Sequence, residues 1–327
     1  MNDLSLPLVL MTHMLPADWI SKLDGHCRLV VGPEDATHLS VELNARLAEA
    51  EGLFTLLTIP ITDELLRQAR KLRVISNMAA GVDNIDVPAC TSRGIPVGNT
   101  PGVLTEATAD LTMALLLSVA RRLPEARDDA LSGQWGTWSP TGWLGTDLNG
   151  ATLGIIGMGK IGKAVARRAA GFGMQIVYSD PQPCDEPGYI RLSTAELLIQ
   201  SDIVSLHTPL VQSTHYLLNS EMLGLMKTSA ILINTARGAI IDLDALYTHL
   251  KAHKIAAAAL DVTYPEPLPP EHKLYTLSNC LILPHIGSAT HNTRRKMAEL
   301  ACDNLLAGLA MRPMPHCVNP EVYQNKE

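Results

Sequence analysis

An arginine, a glutamate and a histidine stand late in this 327-residue chain, each just beyond a short apolar run. Arg237 lies in Asn234-Thr235-Ala236-Arg237-Gly238, Glu266 in the proline-rich loop after Asp261, and His285 in Leu283-Pro284-His285-Ile286-Gly287-Ser288. These side chains suit acid–base work on a small anion. A guanidinium holds a carboxylate through two parallel charge-assisted hydrogen bonds, which a lysine cannot match in geometry. An imidazole titrates near neutrality and can give or take a proton. A carboxylate bonded to that imidazole favours its protonated form and fixes its orientation. Position alone leaves a plainer account open for each: a structural ion pair for Arg237 and Glu266, a satisfied buried histidine for His285.

A second stretch carries different chemistry. Gly157, Met158, Gly159, Lys160, Ile161 and Gly162 form a G-x-G-x-x-G run between an apolar strand-like segment, 152–156, and helix formers at 164–170. The three glycines would serve a sharp turn, the approach of backbone to a pyrophosphate, and close packing of helix on strand. N–H groups of the new helix would face the phosphates. A second strand, 175–179, leads into Asp180, 18 residues after Gly162, where a ribose-binding carboxylate belongs in a βαβ unit. Dinucleotide binding is the reading that follows.

These residues need a scaffold that brings strand ends together. The first third alternates strand-like runs at 8–11, 28–31, 53–57 and 73–76 with helical stretches at 41–50 and 63–69. From residue 152 the same alternation returns, with further strands expected at 202–207, 230–234, 256–260 and 280–283. The fold class expected is α/β, with two Rossmann-like doubly wound parallel sheets, the second of six strands. An apolar helix over 105–121 would join the two domains. A helix over 293–309 places Met297, Ala301, Leu305 and Leu309 one turn apart, and would cross back to the first domain. The domains expected are 1–102 with 292–327, a discontinuous flavodoxin-like substrate domain, and 103–291 for the dinucleotide. The stretch 132–150, which holds Trp135, Trp138 and Trp143, reads either as a surface loop with a small core of its own or as an arm on a second subunit.

Composition narrows the class further. The chain is 46% hydrophobic and 18% charged, which fits a globular protein, and its net charge of −7 argues against nucleic acid or an anionic membrane as partner. Six cysteines show no metal-ligand spacing and suit reduced thiols. The first 16 residues lack the basic start and long apolar core of a signal peptide, and no stretch is long enough to span a bilayer, so a cytoplasmic location is expected.

Four motifs in order, Gly157 to Gly162, "NTARG" at 234–238, "LDVTYPEPL" at 260–268 and "LPHIGSAT" at 283–290, resemble those of the D-isomer-specific 2-hydroxyacid dehydrogenases, in particular the glyoxylate and hydroxypyruvate reductases. The likeness extends over nearly the whole chain, including "TPGVLTEATADLTMALLLSVARRLPEA" from 100. It implies that Arg237, Glu266 and His285 are the catalytic set. His285 would protonate the nascent alkoxide while hydride reaches C2 of a 2-oxo acid, and Arg237 would bind the carboxylate and polarise the carbonyl. It further implies substrate contacts from the N–H groups of Ala80 and Gly81, in Asn77-Met78-Ala79-Ala80-Gly81-Val82-Asp83, and from Ser288. Implied cofactor contacts run from Gly157 through Gly162 and include Asp180, Thr208, Pro209, Thr235, Ala236, Arg237, Asp261, His285 and Gly287. A homodimer is expected.

One departure bears on the cofactor. NADPH-using members of this branch place a small neutral residue followed by arginine after the second strand, whereas this chain has Ser179-Asp180-Pro181-Gln182-Pro183. A carboxylate ~4 Å from a 2′-phosphate costs about 4 kcal/mol at an effective dielectric of 20. NAD, as NADH, is therefore the expected cofactor. Two other readings share the fold: a dinucleotide-sensing corepressor-like binding protein and a formate- or phosphite-type dehydrogenase.

Overall fold

The computed structural model describes residues 6–324. Packing divides the chain into two compact units, Met1–Leu104 with Thr290–Glu327, and Thr105–Ala289. Each is built on one parallel sheet.

In the first unit, β1 (Leu8–Met11), β2 (Arg28–Val31), β3 (Gly52–Thr55), β4 (Val74–Asn77) and β5 (Val97–Gly98) lie in the order β2-β1-β3-β4-β5. All pairs are parallel, so each connection must cross over, and both faces of the sheet are covered. Successive side chains feed opposite layers. Leu8 and Leu10 join Leu43, Leu66 and Cys90 from the helices Val41–Arg46, Asp63–Gln68 and Val87–Ser92. Val9 and Met11 face the other way, against Met297, Ala301, Leu305 and Leu309 of the helix His291–Leu309. The end of the chain thus completes the first unit. Ser40, Thr62 and Asp86 cap the three crossover helices through their side chains.

The second unit contains β6 (Thr152–Ile156), β7 (Gln175–Ser179), β8 (Ile190–Arg191), β9 (Ile203–Leu206), β10 (Ile231–Asn234), β11 (Ala257–Leu260) and β12 (Cys280–Ile282). Their order is β12-β11-β10-β9-β6-β7-β8, again all parallel, and the direction of winding reverses between β6 and β9. Seven strands stand where six were expected. The extra one, β8, has two exposed residues and no apolar run to announce it. β5 is equally short and was likewise not among the expected strands. The helices Thr105–Ala120 and Lys160–Gly171 cover one face of this sheet, and Thr194–Gln200 with Leu243–Lys251 cover the other.

The tryptophan-bearing stretch forms no small core of its own. Trp135 and Trp138 are 71% and 80% exposed. Trp143 is held at the surface instead, its Nε1 donating to Asp129 at 3.2 Å with the Arg122 guanidinium 4.9 Å above its ring. Among the described residues, no helix is long and apolar enough to cross a membrane.

Candidate active site

The turn after β6 sits at the point where the second sheet reverses its winding, the place where open α/β sheets bind ligands. Its glycines differ in what they do. Gly157 has φ +96° and lies so close to the His207–Thr208 backbone that a Cβ would fall 2.6 Å from it. A Cβ on Gly162 would fall 2.2 Å from the Gly157 carbonyl oxygen, so only glycine lets this helix approach the turn. Gly159 faces open space, and as N-cap of Lys160–Gly171 it offers no side chain to the free N–H groups of the first turn. The first bond of that turn runs from the Lys163 N–H to the Gly159 carbonyl, which leaves the N–H groups of Lys160, Ile161 and Gly162 for a ligand.

A cavity of about 580 Å³ opens beside this turn, with Gly157, Asp180, Arg191, Thr194, Thr208 and Thr214 among its walls. Asp180 is fixed at its rim. One carboxylate oxygen accepts from the Met158 N–H at 2.7 Å, the other from the Gln182 N–H at 2.8 Å. Each oxygen keeps a second lone pair for a ribose hydroxyl. Pro209 lies in the same loop as Thr208, its carbonyl taken by the Thr214 hydroxyl at 2.7 Å. A pyrophosphate-bearing dinucleotide therefore fits the residues present: a backbone turn with no Cβ in the way, free helix N–H groups, and a carboxylate at the far end.

The ionisable residues gather beyond β10, β11 and β12. Asn234, the last residue of β10, shapes the turn that carries Arg237: its Oδ1 accepts from the Ala236 N–H at 3.0 Å and its Nδ2 donates to the Arg237 carbonyl at 2.9 Å. Thr235 packs beneath, its hydroxyl 3.0 Å from that of Thr112. The Arg237 guanidinium donates to the Ala236 carbonyl at 2.7 Å. Gly238 touches the next loop so closely that a Cβ would fall 2.0 Å from the Thr263 backbone. That next loop delivers Glu266, whose Oε2 accepts from the Thr263 N–H at 3.3 Å and whose Oε1 lies 2.5 Å from His285 Nδ1.

His285 has φ +54°, the left-handed region that a residue with a Cβ occupies only when its surroundings hold it there. Asp261 supplies that hold. Its carbonyl accepts from the His285 N–H at 2.9 Å, and its carboxylate accepts from the N–H groups of Ile286 at 2.7 Å and Gly287 at 2.8 Å. Asp261 is 1% exposed, and burial holds its carboxyl above the ordinary range even though the two N–H groups and His285 pull the other way. Gly287 is buried, its carbonyl accepting from the Thr108 hydroxyl at 3.3 Å, and Ser288 follows it half-buried. Glu266, His285, Asp261 and Tyr275 help to line a cavity of about 260 Å³. With Nδ1 on Glu266, His285 has only Nε2 left to meet a reacting atom. Ala80 and Gly81 lie in the first unit, half-buried in the loop after β4.

The model of the D-isomer-specific 2-hydroxyacid dehydrogenase NAD-binding domain matches residues 113–287, over half of the chain. A glyoxylate reductase of Korarchaeum cryptofilum is 44% identical over 323 residues, covering 97% of each protein. The chain belongs to the D-isomer-specific 2-hydroxyacid dehydrogenase family. The human glyoxylate reductase/hydroxypyruvate reductase is 43% identical over 96% of this chain and 98% of its own. A Thermus thermophilus protein of known crystal structure superposes with a TM-score of 0.90 at 49% identity, over 95% of this chain and 99% of that one. The protein is thus an NAD(P)-dependent D-2-hydroxyacid dehydrogenase with a nicotinamide dinucleotide cofactor and a small-molecule substrate.

In this dehydrogenase several cavity-lining residues escaped sequence reasoning. Arg191 sits on the short edge strand, its guanidinium donating to the Asp180 and Pro181 carbonyls at 3.0 and 2.6 Å. Thr194 opens the helix that follows, behind a Ser193–Glu196 capping box. The Ser-x-x-Glu spacing of that box was the one legible signal.

Proposed function

We propose that this dehydrogenase reduces glyoxylate, hydroxypyruvate or a similar small 2-oxo acid to the D-2-hydroxy acid, with NADH preferred over NADPH. The observation that carries the reading is the His285–Glu266 pair, 2.5 Å apart and lining a cavity large enough for a three-carbon acid. The names of the relatives from Korarchaeum and human point to the same substrates.

The second unit takes the dinucleotide. Gly157 to Gly162 receive the pyrophosphate, Asp180 the adenosine ribose, and Thr208 and Pro209 lie under the adenosine half. Thr235, Ala236, Arg237, Asp261, His285 and Gly287 serve the nicotinamide end. The bound nicotinamide supplies the hydride that C2 of the substrate accepts. His285 gives the Nε2 proton to the oxygen at C2 as negative charge develops there, and Glu266, on Nδ1, keeps its ring in place. Arg237 binds the substrate carboxylate and polarises the carbonyl. Ala80 and Gly81 donate N–H groups to the carboxylate, and Ser288 touches substrate. Trp135 and Trp138, exposed on the stretch 132–150, are the aromatic anchors of a homodimer interface. Sedimentation of the purified chain as a monomer would remove that last assignment.

Support for NADH comes from Asp180. Both of its oxygens are pinned by backbone N–H groups, so it cannot swing away from a 2′-phosphate. Arg191 lines the same cavity, but its guanidinium is committed to two main-chain carbonyls. Initial rates with glyoxylate and each reduced cofactor test the reading. Expected is a kcat/KM for NADPH about 100-fold below that for NADH, the ~4 kcal/mol of repulsion being reduced by water. Equal values would overturn the preference. Tight NADH binding with no turnover of any 2-oxo acid would overturn the activity, in favour of a dinucleotide-sensing binding protein.

A further inference from the structure

In the first unit, three consecutive carbonyls of the loop after β4 are tied down. Ala79 O accepts from the Thr100 N–H at 2.8 Å, Ala80 O from Asn99 Nδ2 at 2.7 Å, and Gly81 O from Asn77 Nδ2 at 3.0 Å. In a planar trans peptide the C=O and the following N–H point in opposite directions. Fixing these oxygens therefore turns the N–H groups of Ala80, Gly81 and Val82 away from whatever holds each carbonyl. Among the described residues none of these three N–H groups has an acceptor, and all three residues are half-buried. Three adjacent donors in that condition are held ready for something outside the chain.

The direction of each asparagine amide follows from its neighbours. Asn84 Nδ2 donates to the Leu56 and Ile59 carbonyls, both at 3.1 Å, which leaves its Oδ1 as an acceptor. Only the NH₂ of Asn77 can meet that oxygen, at 3.2 Å, and the Gly81 carbonyl together. Asn77 Oδ1 is then buried with no partner among the described residues, a cost the interior tolerates to keep the donor pointing at the loop. Asn99 is anchored in turn. Its own carbonyl accepts at 2.9 Å from Nδ2 of Asn304, on the helix His291–Leu309, and Asn304 Oδ1 accepts from the His316 N–H at 3.0 Å. Helix and strand are in close contact here: a Cβ on Gly98 would fall 2.8 Å from that of Asn304.

From this network we infer that Asn77 and Asn99 are positioning residues that preset the N–H groups of Ala80, Gly81 and Val82 as a row of three donors for the substrate carboxylate. The inference rests on the 2-oxo acid reading above and adds Val82 to the donors it names. Asparagine fits the task because its NH₂ holds a carbonyl without bringing a charge. A lysine would compete for the carboxylate, and an aspartate would accept where a donor is needed and repel the anion.

Steady-state kinetics of the full chain with NADH and glyoxylate test this. Asn99→Ala should raise KM for glyoxylate about tenfold with kcat within about twofold of wild type. The inhibition constant of oxamate, a non-reacting carboxylate of similar shape, should rise by the same factor, while the dissociation constant for NADH stays unchanged. Asn99→Asp, nearly isosteric, should raise KM further, and it carries the test if the alanine variant does not fold. Wild-type KM and oxamate affinity in a folded variant, whatever its loss of thermal stability, would overturn the inference and leave the 2-oxo acid reading standing. A wild-type protein that reduces no 2-oxo acid would overturn that reading and the inference with it.

Discussion

The two sheets use the same edge in different ways. Both are wholly parallel and both collect polar groups beyond the carboxyl ends of their strands. After β10, β11 and β12 the second unit displays Arg237, Asp261, Glu266 and His285, all ionisable, and it uses charge-assisted bonds such as the one that the Gly287 N–H donates to the Asp261 carboxylate. After β4 and β5 the first unit shapes its loop with Asn77, Asn84 and Asn99, which are neutral, and offers the main chain itself. The contrast suits what the proposed function asks of each unit. A proton that must move requires a side chain that titrates, and a carboxylate that must only be held is served by N–H dipoles whose charge never changes. On the proposed function, one unit changes its ionisation during turnover and the other stays the same.

The largest effect should come from breaking this contrast on the ionisable side. His285→Ala removes the proposed proton donor and is expected to lower kcat about 10³-fold with little change in KM for glyoxylate. Glu266→Gln keeps an acceptor for Nδ1 but replaces a charge-assisted bond with a neutral one, so a smaller fall in kcat, about tenfold to a hundredfold, is expected. Set beside the Asn99 variants, these define a split: His285 and Glu266 should act on kcat, Asn99 on KM. A His285→Ala enzyme that loses affinity and keeps its turnover would abolish the distinction.

That distinction also decides what the amino-acid sequence declares by itself. Arginine, glutamate and histidine declare their chemistry by type, so Arg237, Glu266 and His285 stood out, and their motifs carried the family. The glycines at 157, 159 and 162 were equally legible, because a missing Cβ is a sequence-level fact with a geometric meaning. Short apolar runs gave ten of the strands. The two that escaped, Val97–Gly98 and Ile190–Arg191, are two residues each, too short for any periodicity to register. Asn99 escaped for a different reason. Nothing about an asparagine says whether it caps a turn or aims a peptide group across the fold, and its partner Ala80 contributes only backbone. Main-chain function leaves little trace in side-chain identity. Asp261 was found by resemblance, but its control of the His285 loop through three backbone contacts had no sequence signal.

Acid offers a finer probe of the same contrast, because burial lowers the pKa of histidines in both units: His13 in the first, His207 and His249 in the second. His13, 4% exposed, has Nε2 2.9 Å from the Ala36 carbonyl and Nδ1 2.8 Å from the Thr12 hydroxyl, an arrangement that selects the tautomer with its proton on Nε2. Burial lowers its pKa, opposed by the Ala36 carbonyl and by Asp35. His207 keeps some surface as a residue, but its imidazole is shut away beside the Ser205 hydroxyl, 2.9 Å from Nε2, and burial pushes it down to about 3. Both shifts are downward, so neither group affects stability above pH ~6.5, where folded and unfolded forms are alike neutral. As pH falls below that value, the unfolded chain takes up a proton that the folded one refuses. Each histidine then costs about 1.4 kcal/mol of stability per pH unit, until its own folded pKa is reached. For His207 the loss continues to about pH 3; His13, with its smaller shift, stops contributing sooner. Urea midpoints measured from pH 7 to pH 4 should therefore fall less steeply in His207→Asn than in wild type, with a smaller flattening in His13→Asn. Identical slopes in wild type and His207→Asn would mean that the second unit lets this imidazole charge without unfolding, and that its ionisation is freer than the packing around Ser205 implies.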